Sequence, residues 1–254
     1  MMFIPHRYRP QDTMNRLQNP PPFPEKGLAN AVDWAIVSRR SIRAFLPTPV
    51  PEHEVAEILA VASAAASGMN TQPWRVHVVT GPAKQRLTDA IVEVDNDRVR
   101  REEHTEPYDY YPTQWISPFI ERRRKVGWSL YGLLGIEKGD KDNMHRQHGR
   151  NYQFFDAPVG MFFTLDPVMC TGSFLDYGMF LQSLMIAARA RGLDTCAQVA
   201  FTKYHRIVAQ QLRIPSAEIL VSGLSLGYAD ASRIENTLVT EREPIAQATT
   251  YHHE

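Results

Sequence analysis

The sequence has few cysteines and no excess of charge of either sign. Its 254 residues include only two cysteines, Cys170 and Cys196, which lack metal-ligand spacing and are too few for a disulfide framework. We therefore expect both to be reduced thiols in the core of a cytosolic protein. Lysine plus arginine and aspartate plus glutamate number 28 each, so the net charge is zero. A neutral chain is not expected to bind nucleic acid or an anionic membrane through its overall charge.

Signals for export, for membrane insertion and for the common nucleotide loops are also missing. Residues 1–16 lack the apolar core of a signal peptide, and no apolar run is long enough to span a bilayer, so we expect a cytoplasmic protein. No G-x-G-x-x-G opens a helix after a strand, and no Walker A loop occurs. His145 and His148, like His252 and His253, lack cysteine or carboxylate neighbours at metal spacing, so no metal site is expected. No nucleophile stands beside a base, so catalysis would need a bound cofactor.

The rest of the chain divides into an arm and one domain. Residues 1–28 contain a proline cluster, which predicts an extended, polyproline-like arm. Residues 29–254 have no internal repeat or dividing linker, so we expect a single domain. Apolar spacing predicts helices over residues 29–39, 52–66, 84–93, 126–134, 173–191 and 204–212, and strands over 75–80, 157–165, 194–199 and 218–228. This order indicates an α+β fold. Residues 95–150 are predicted to form a lid insertion, irregular as far as residue 125.

Two segments carry the clearest functional signal. The first, Arg39-Arg40-Ser41-Ile42-Arg43, is an arginine cluster whose forked donors suit a phosphate group held bidentately. The second, residues 67–74, reads Ser-Gly-Met-Asn-Thr-Gln-Pro-Trp, and its small and amide-bearing residues suit the edge of a flat heteroaromatic ring. One segment binds an anion and the other binds a ring, so together they indicate a nucleotide-like cofactor.

These segments resemble the FMN-dependent nitroreductase family. The resemblance rests on residues 39–45, 64–74, 157–160, 173–191 and 221–228, which occur in the family's order and spacing. The insertion, with Trp115 and the run Arg122-Arg123-Arg124, is similar to the nitrobenzoate-reductase-like branch. The resemblance implies a nitroreductase-like fold with a central mixed β-sheet flanked by helices. It also implies an intertwined homodimer with two FMN molecules at the subunit interface.

The same resemblance implies a set of cofactor and substrate residues. FMN would be bound by Arg39, Arg40, Ser41 and Arg43, by Ser67, Gly68, Asn70 and Gln72 supplied from the other subunit, by the backbone of Ala197, Gln198 and Val199, by Gly223 and Leu224, and by Arg242. The arginines would hold the phosphate, except that Arg43 would lie at the N1 and O2 end of the flavin ring. Gly223 would let its strand approach the ring closely. A substrate lid would consist of Tyr108, Tyr111, Trp115 and Arg123.

The implied activity is NADH- or NADPH-dependent reduction of nitroaromatic or quinone-like acceptors by a ping-pong mechanism, without a catalytic side chain. Three alternatives remain open at this stage. Reductive dehalogenation of a halophenol would use Glu121 or Lys125 to grip a zwitterionic substrate. Flavin breakdown would need oxygen chemistry. The chain could also be a flavin-binding protein with no efficient turnover.

Overall fold

The computed structural model describes residues 30–253, so the predicted arm at residues 1–28 lies outside the described part. The elements, in chain order, are α1 Ala31–Ser38, α2 Glu52–Ala62, β1 Arg75–Thr80, α3 Gly81–Asn96, α4 Arg98–Glu102, α5 Phe119–Leu133, α6 Lys141–Gly149, β2 Val159–Leu165, α7 Ser173–Ala190, β3 Asp194–Gln198, α8 His205–Leu212 and β4 Ile219–Gly227. Short 3-10 turns lie between several of them. Within the described residues, no helix combines the length and apolar character that crossing a bilayer requires.

The strands form one sheet in the order β1-β2-β4-β3, with antiparallel pairing throughout. β2 lies inside the sheet and every one of its residues is buried, which matches its unbroken apolar sequence. A parallel component comes from an isolated bridge between Ser41 and Thr195 at the outer side of β3. The predicted mixed character of the sheet therefore rests on this bridge, since all strand pairs among residues 30–253 are antiparallel.

Apolar side chains cover both faces of the sheet. On one face, Phe162 packs with Phe154 and Phe201 in an aromatic core cluster. On the other face, Phe163 packs against Phe180 of α7. Phe162 and Phe163 face opposite sides because side chains alternate along a strand. The sheet is thus the middle layer of an α+β domain, and α7 also contacts α1 and α2.

Several predictions of local structure need correction. The lid insertion is more helical than predicted. α5 begins at Phe119, directly after Pro118, and α6 is a helix that we did not predict. Proline is well tolerated at the beginning of a helix, where its missing N–H has no partner to lose. Only the segment between α4 and α5 has the predicted irregular form. Cys196 is buried as predicted, but Cys170 is exposed and is not a core thiol.

A buried ion pair joins the end of α7 to β3 and to α1. Arg189 binds Asp194 with an Nη1–Oδ1 distance of 3.0 Å, and their side chains are only 10% and 12% exposed. The Nε of Arg189 donates to the hydroxyl of Ser38 at 2.9 Å, and its guanidinium lies 4.9 Å from the ring centre of Trp34. Ser38 is the last residue of α1, so this cluster fixes the point at which the chain enters the arginine segment.

Candidate functional site

The arginine segment continues through residues 41–46 as irregular backbone whose hydrogen bonds are made by distant parts of the chain. The N–H of Ile42 donates to the backbone carbonyl of Thr195 at 3.1 Å. The N–H groups of Phe45 and Leu46 donate to the backbone carbonyls of Phe155 at 3.0 Å and Tyr228 at 2.8 Å, respectively. Arg43 donates instead to the side-chain oxygen of Asn236 at 2.8 Å. The segment is therefore positioned by the whole domain and not by a helix or strand of its own.

Arg39 has the environment expected of an anion ligand. Its Nε is buried and has no hydrogen-bond partner among the described residues. Burial lowers the pKa of the Arg39 guanidinium, and the positive charge of Arg242 lowers it further. A phosphate between the two arginines would satisfy the unpaired donor and offset the repulsion of the like charges. The residues present thus fit the phosphate group of FMN, as predicted for both arginines.

Arg40 has a different environment. Burial lowers the pKa of its guanidinium, while the charges of Asp194 and Arg189 act on it in opposite directions. The electrostatic environment of Arg40 thus includes the buried ion pair at the end of α7. The phosphate-binding role predicted for Arg40 stays a prediction.

Arg43 and Cys196 meet beside Arg39. The Nη1 of Arg43 donates to the carbonyl of Ser41 at 3.1 Å, so its side chain folds back along the segment. Burial raises the pKa of the Cys196 thiol, whereas the charges of Arg43 and Arg39 lower it. The buried Cys196 thiol is thus within the electrostatic influence of both arginines. The sequence signal for this placement is weak, because a lone cysteine in an apolar strand is usually a core residue.

The segment that contains the predicted ring-binding residues is a strained turn. Met69, Asn70 and Gln72 have left-handed backbone angles, with φ of 51, 58 and 45°. This conformation costs roughly 1–2 kcal/mol for each residue that has a Cβ. Hydrogen bonds hold the turn: the N–H of Gly68 donates to Asp176 Oδ1 at 3.0 Å, and that of Gln72 to Ser67 Oγ at 3.0 Å. Strain that is maintained in this way is typical of ligand-binding turns.

One subunit does not bring the two predicted motifs together. The turn is attached to Asp176 in the first turn of α7, while the arginine segment begins beside Arg189 in the last turn. At a helical rise of about 1.5 Å per residue, these two attachment points are roughly 20 Å apart. The motifs therefore lie at opposite ends of α7.

The residues predicted on β3 and β4 have mixed outcomes. Ala197 is exposed, and the side chain of Gln198 is buried in hydrogen bonds with Asn151 and Ser225. Val199 begins the 3-10 turn after β3. For Ala197, Gln198 and Val199 the prediction concerned the backbone alone, so these contacts leave it open.

Gly223 and Leu224 face the interior of the subunit. A Cβ at Gly223 would lie 2.4 Å from the ring of Phe201, so the glycine makes room for that ring. Leu224 is 0% exposed and packs in the second core cluster. Phe201 thus occupies the space that a side chain at Gly223 would need, and the predicted approach of a flavin to this strand stays a prediction.

The four predicted lid residues separate into two groups. The rings of Tyr111 and Trp115 are 5.7 Å apart, and the guanidinium of Arg123 lies 4.8 Å from the Trp115 ring. Tyr108 instead donates its hydroxyl to the carbonyl of Val221 at 2.5 Å and packs on Phe174. Three of the lid residues thus form one cluster, whereas Tyr108 anchors the insertion to the sheet.

A pocket of about 520 Å³ lies between α5 and residues 238–243, and Arg242 is part of its wall. Two ion pairs cross it: Arg122 to Glu243 at 3.2 Å and Lys125 to Glu241 at 2.5 Å. The lid helix is therefore tied to the C-terminal segment that carries Arg242.

The comparison with known families decides the classification. The model of the nitroreductase family matches residues 36–228, which is most of the chain. This chain belongs to the nitroreductase family. Among individual proteins, the 4-nitrobenzoate reductase of Pseudomonas putida is 41% identical over 224 residues, covering 88% of this chain and 96% of that protein. The predicted family and branch are confirmed.

Solved structures of nitroreductases confirm the predicted nitroreductase-like α+β fold. The FMN and NADPH-dependent nitroreductase NfnB from Sphigopyxis sp. strain HMH matches with a TM-score of 0.84 and 35% identity, covering 88% of this chain and 99% of that chain. The FMN-dependent nitroreductase NfnB from Mycobacterium smegmatis, solved in complex with NADPH, matches with a TM-score of 0.83 and 30% identity. The match covers 89% of this chain and all of that one.

Substitution of Gly223 tests the structural role given to this glycine. Gly223→Ala should lower the free energy of unfolding of the flavin-free protein by about 1–3 kcal/mol, because the new methyl group overpacks against Phe201. The measurement is urea denaturation. Gly127→Ala, in α5, is the matched control, because the added Cβ would meet no described atom within 4 Å apart from its chain neighbours and the backbone of its own helix. It should be neutral or stabilising by up to about 1 kcal/mol. Weaker FMN binding with unchanged stability of the Gly223 variant would instead support a flavin contact.

Proposed function

We propose that this protein is an FMN-dependent NAD(P)H oxidoreductase that reduces nitroaromatic or quinone-like acceptors. The observation that carries the proposal is the buried, unpaired donor of Arg39, whose guanidinium is under the influence of the Arg242 charge. Arg39 lies within residues 36–228, which the nitroreductase family model matches. The relatives add support, since the Pseudomonas putida protein is named a 4-nitrobenzoate reductase and the two NfnB proteins are described as FMN-dependent.

In this proposal, the side chains bind and orient the cofactor. Arg39 and Arg242 hold the phosphate, and Ser41 lies toward the ribityl chain. Arg43 places a positive charge near the pyrimidine end of the ring. When bound, FMN supplies the two-electron redox chemistry, and the protein contributes position and electrostatics.

We also propose that the site is shared between two subunits of a homodimer. The ring-binding turn and the arginine segment lie at opposite ends of α7. Antiparallel pairing of two copies of α7 about a two-fold axis brings the Asp176 end of one helix to the Arg189 end of the other. Exposed apolar side chains support such an interface: Met69 is 98% exposed and Leu175 is 72% exposed.

The remaining parts of the proposal concern organisation and location. Residues 29–254 form one flavin-binding domain, and residues 95–150 are its lid insertion, with a small aromatic compound as substrate. Both cysteines are unpaired, which suits the reducing cytoplasm.

The alternative functions have less support. Halophenol dehalogenation would need Glu121 or Lys125 to bind a zwitterionic substrate. Lys125 instead forms an ion pair with Glu241 at 2.5 Å. No described contact favours flavin breakdown over electron transfer to an acceptor. A flavin-binding protein without turnover is distinguished from an enzyme by the experiment that follows.

Anaerobic reduction of the purified protein tests the function. The protein should carry FMN, and NADPH or NADH should bleach its visible absorbance within seconds, because enzyme turnover numbers are typically about 1–10³ s⁻¹. Adding 4-nitrobenzoate, nitrobenzene or a quinone should restore the absorbance. If both nucleotides leave the bound flavin oxidised, the protein is a binding protein and not a reductase. Recovery with halophenols alone would support the dehalogenase alternative.

Two arginine substitutions should separate cofactor binding from redox tuning. Arg43→Gln should keep much of the FMN but lower its midpoint potential, because a cation near N1 and O2 stabilises the reduced form. One charge at roughly 4 Å contributes about 4 kcal/mol at an effective dielectric constant of about 20. A quarter of that is roughly 20 mV for a two-electron couple.

Arg39→Gln provides the contrast. It should raise the dissociation constant of FMN roughly 10- to 100-fold, because it removes a charge-assisted hydrogen bond to phosphate. The potential of the flavin that remains bound should hardly change. Potentials are measured against a reference dye and affinities by fluorescence titration. An Arg43 variant that loses FMN at an unchanged potential would show that Arg43 binds phosphate as well.

A further inference from the structure

The side-chain amide of Asn236 makes three hydrogen bonds to backbone groups, two of them at Arg43 and Ala44. Asn236 is 7% exposed and belongs to the 3-10 turn Ile234–Thr237. Its oxygen accepts the N–H of Arg43 at 2.8 Å, while its NH₂ donates to the carbonyls of Ala44 at 2.8 Å and Asp230 at 2.9 Å. The amide oxygen can only accept hydrogen bonds and the NH₂ group donates them. These three partners therefore fix the orientation of the Asn236 side chain.

Arg43 depends on this side chain in a way that its neighbours do not. Ile42 and Phe45 donate their N–H groups to backbone carbonyls, whereas Arg43 donates to the amide of Asn236. The bonds to the Arg43 N–H and the Ala44 carbonyl lie on both sides of the Arg43 Cα. They therefore fix the direction in which the Arg43 side chain leaves the backbone.

The same amide links the arginine segment to the C-terminal segment. The N–H of Asp230 donates to the Ala44 carbonyl at 3.0 Å, and an isolated bridge joins Phe45 to Ala229. Asn236 belongs to the same C-terminal segment and precedes Arg242 by a few residues. The C-terminal segment therefore holds the backbone at Arg43 and also carries Arg242.

We propose that Asn236 is a positioning residue for the flavin: it fixes the backbone at Arg43 and so places the Arg43 charge against the pyrimidine end of FMN. The inference rests on the proposed function, because it requires a bound, reducible FMN. Asn236 acts through Arg43 and does not touch the reacting atoms.

The experiment measures the midpoint potential of FMN in the holoprotein, in Asn236→Ala and Asn236→Ser. Thr237→Ala is the matched control, since it removes a hydrogen bond within the same turn, to the carbonyl of Ile234 at 2.7 Å, without contact to Arg43. Asn236→Ala should weaken the stabilisation of the reduced flavin about threefold, which is a shift of roughly 14 mV to lower potential. Asn236→Ser should shift it in the same direction, and Thr237→Ala should not shift it.

A double-mutant cycle with Arg43→Gln decides whether Asn236 acts through Arg43. In the Arg43→Gln protein, adding Asn236→Ala should leave the potential unchanged, because the charge to be positioned is gone. An equal shift with and without Arg43, or lower thermal stability at an unchanged potential, overturns the inference. Absence of FMN in the unmutated protein, or failure of both NADPH and NADH to reduce it, contradicts the proposed function instead, whereas a reducible FMN with no shift in Asn236→Ala contradicts only this inference.

The unmutated protein provides a second measurement that does not depend on the folding of a variant. Hydrogen exchange of the flavin-free and FMN-loaded forms should show that FMN protects residues 230–236 together with residues 39–46, since Asn236 joins the two segments. Protection of residues 39–46 alone would overturn the proposed link.

Discussion

The requirement that buried backbone polar groups be hydrogen-bonded determines the arginine half of the candidate site. Residues 41–46 have no regular structure of their own, so their N–H groups depend on partners from β3, from the end of β4, from the C-terminal segment and from the turn at Phe155. That turn is itself strained: Phe154, Phe155 and Asp156 have φ of 54, 52 and 69°. An ion pair between Arg150 and Asp156 at 3.0 Å closes it. The domain thus stabilises an unfavourable local conformation next to the arginine segment that we propose to bind FMN.

α7 determines how far apart the two halves of the site lie. Its first turn holds the ring-binding turn through Asp176, and its last turn holds the entrance to the arginine segment through Arg189. Because the helix is rigid, the distance between these ends is fixed within a subunit. The homodimer that we propose resolves this separation, since a two-fold axis across α7 places opposite ends side by side.

Features with a strong local pattern could be predicted from the sequence. β1 has the predicted boundaries, and α7 ends within one residue of its prediction, because apolar periodicity and flanking glycines mark them. The buried, unpaired Nε of Arg39 is compatible with the predicted phosphate contact, which stays a prediction. α6 was missed because its sequence is polar on all sides. The packing of Phe201 against Gly223 could not be predicted, because a glycine in a strand can admit a ligand or a neighbouring ring equally well. Asn236 had no sequence signal, since its partners lie 193 and 192 residues away along the chain.

The most direct test of the account is flavin binding after subunit exchange. Arg39→Gln protein and Asn70→Ala/Gln72→Ala protein each lack one half of every site, so each alone should bind FMN poorly. Mixing them under conditions that exchange subunits rebuilds one intact site in each heterodimer, which with random pairing gives about a quarter of the unmutated flavin content. Heterodimers are counted independently by mass spectrometry of differently tagged chains. If heterodimers form and no flavin binding returns, then the arginine segment and the turn do not meet across the interface, and the account of the site is wrong.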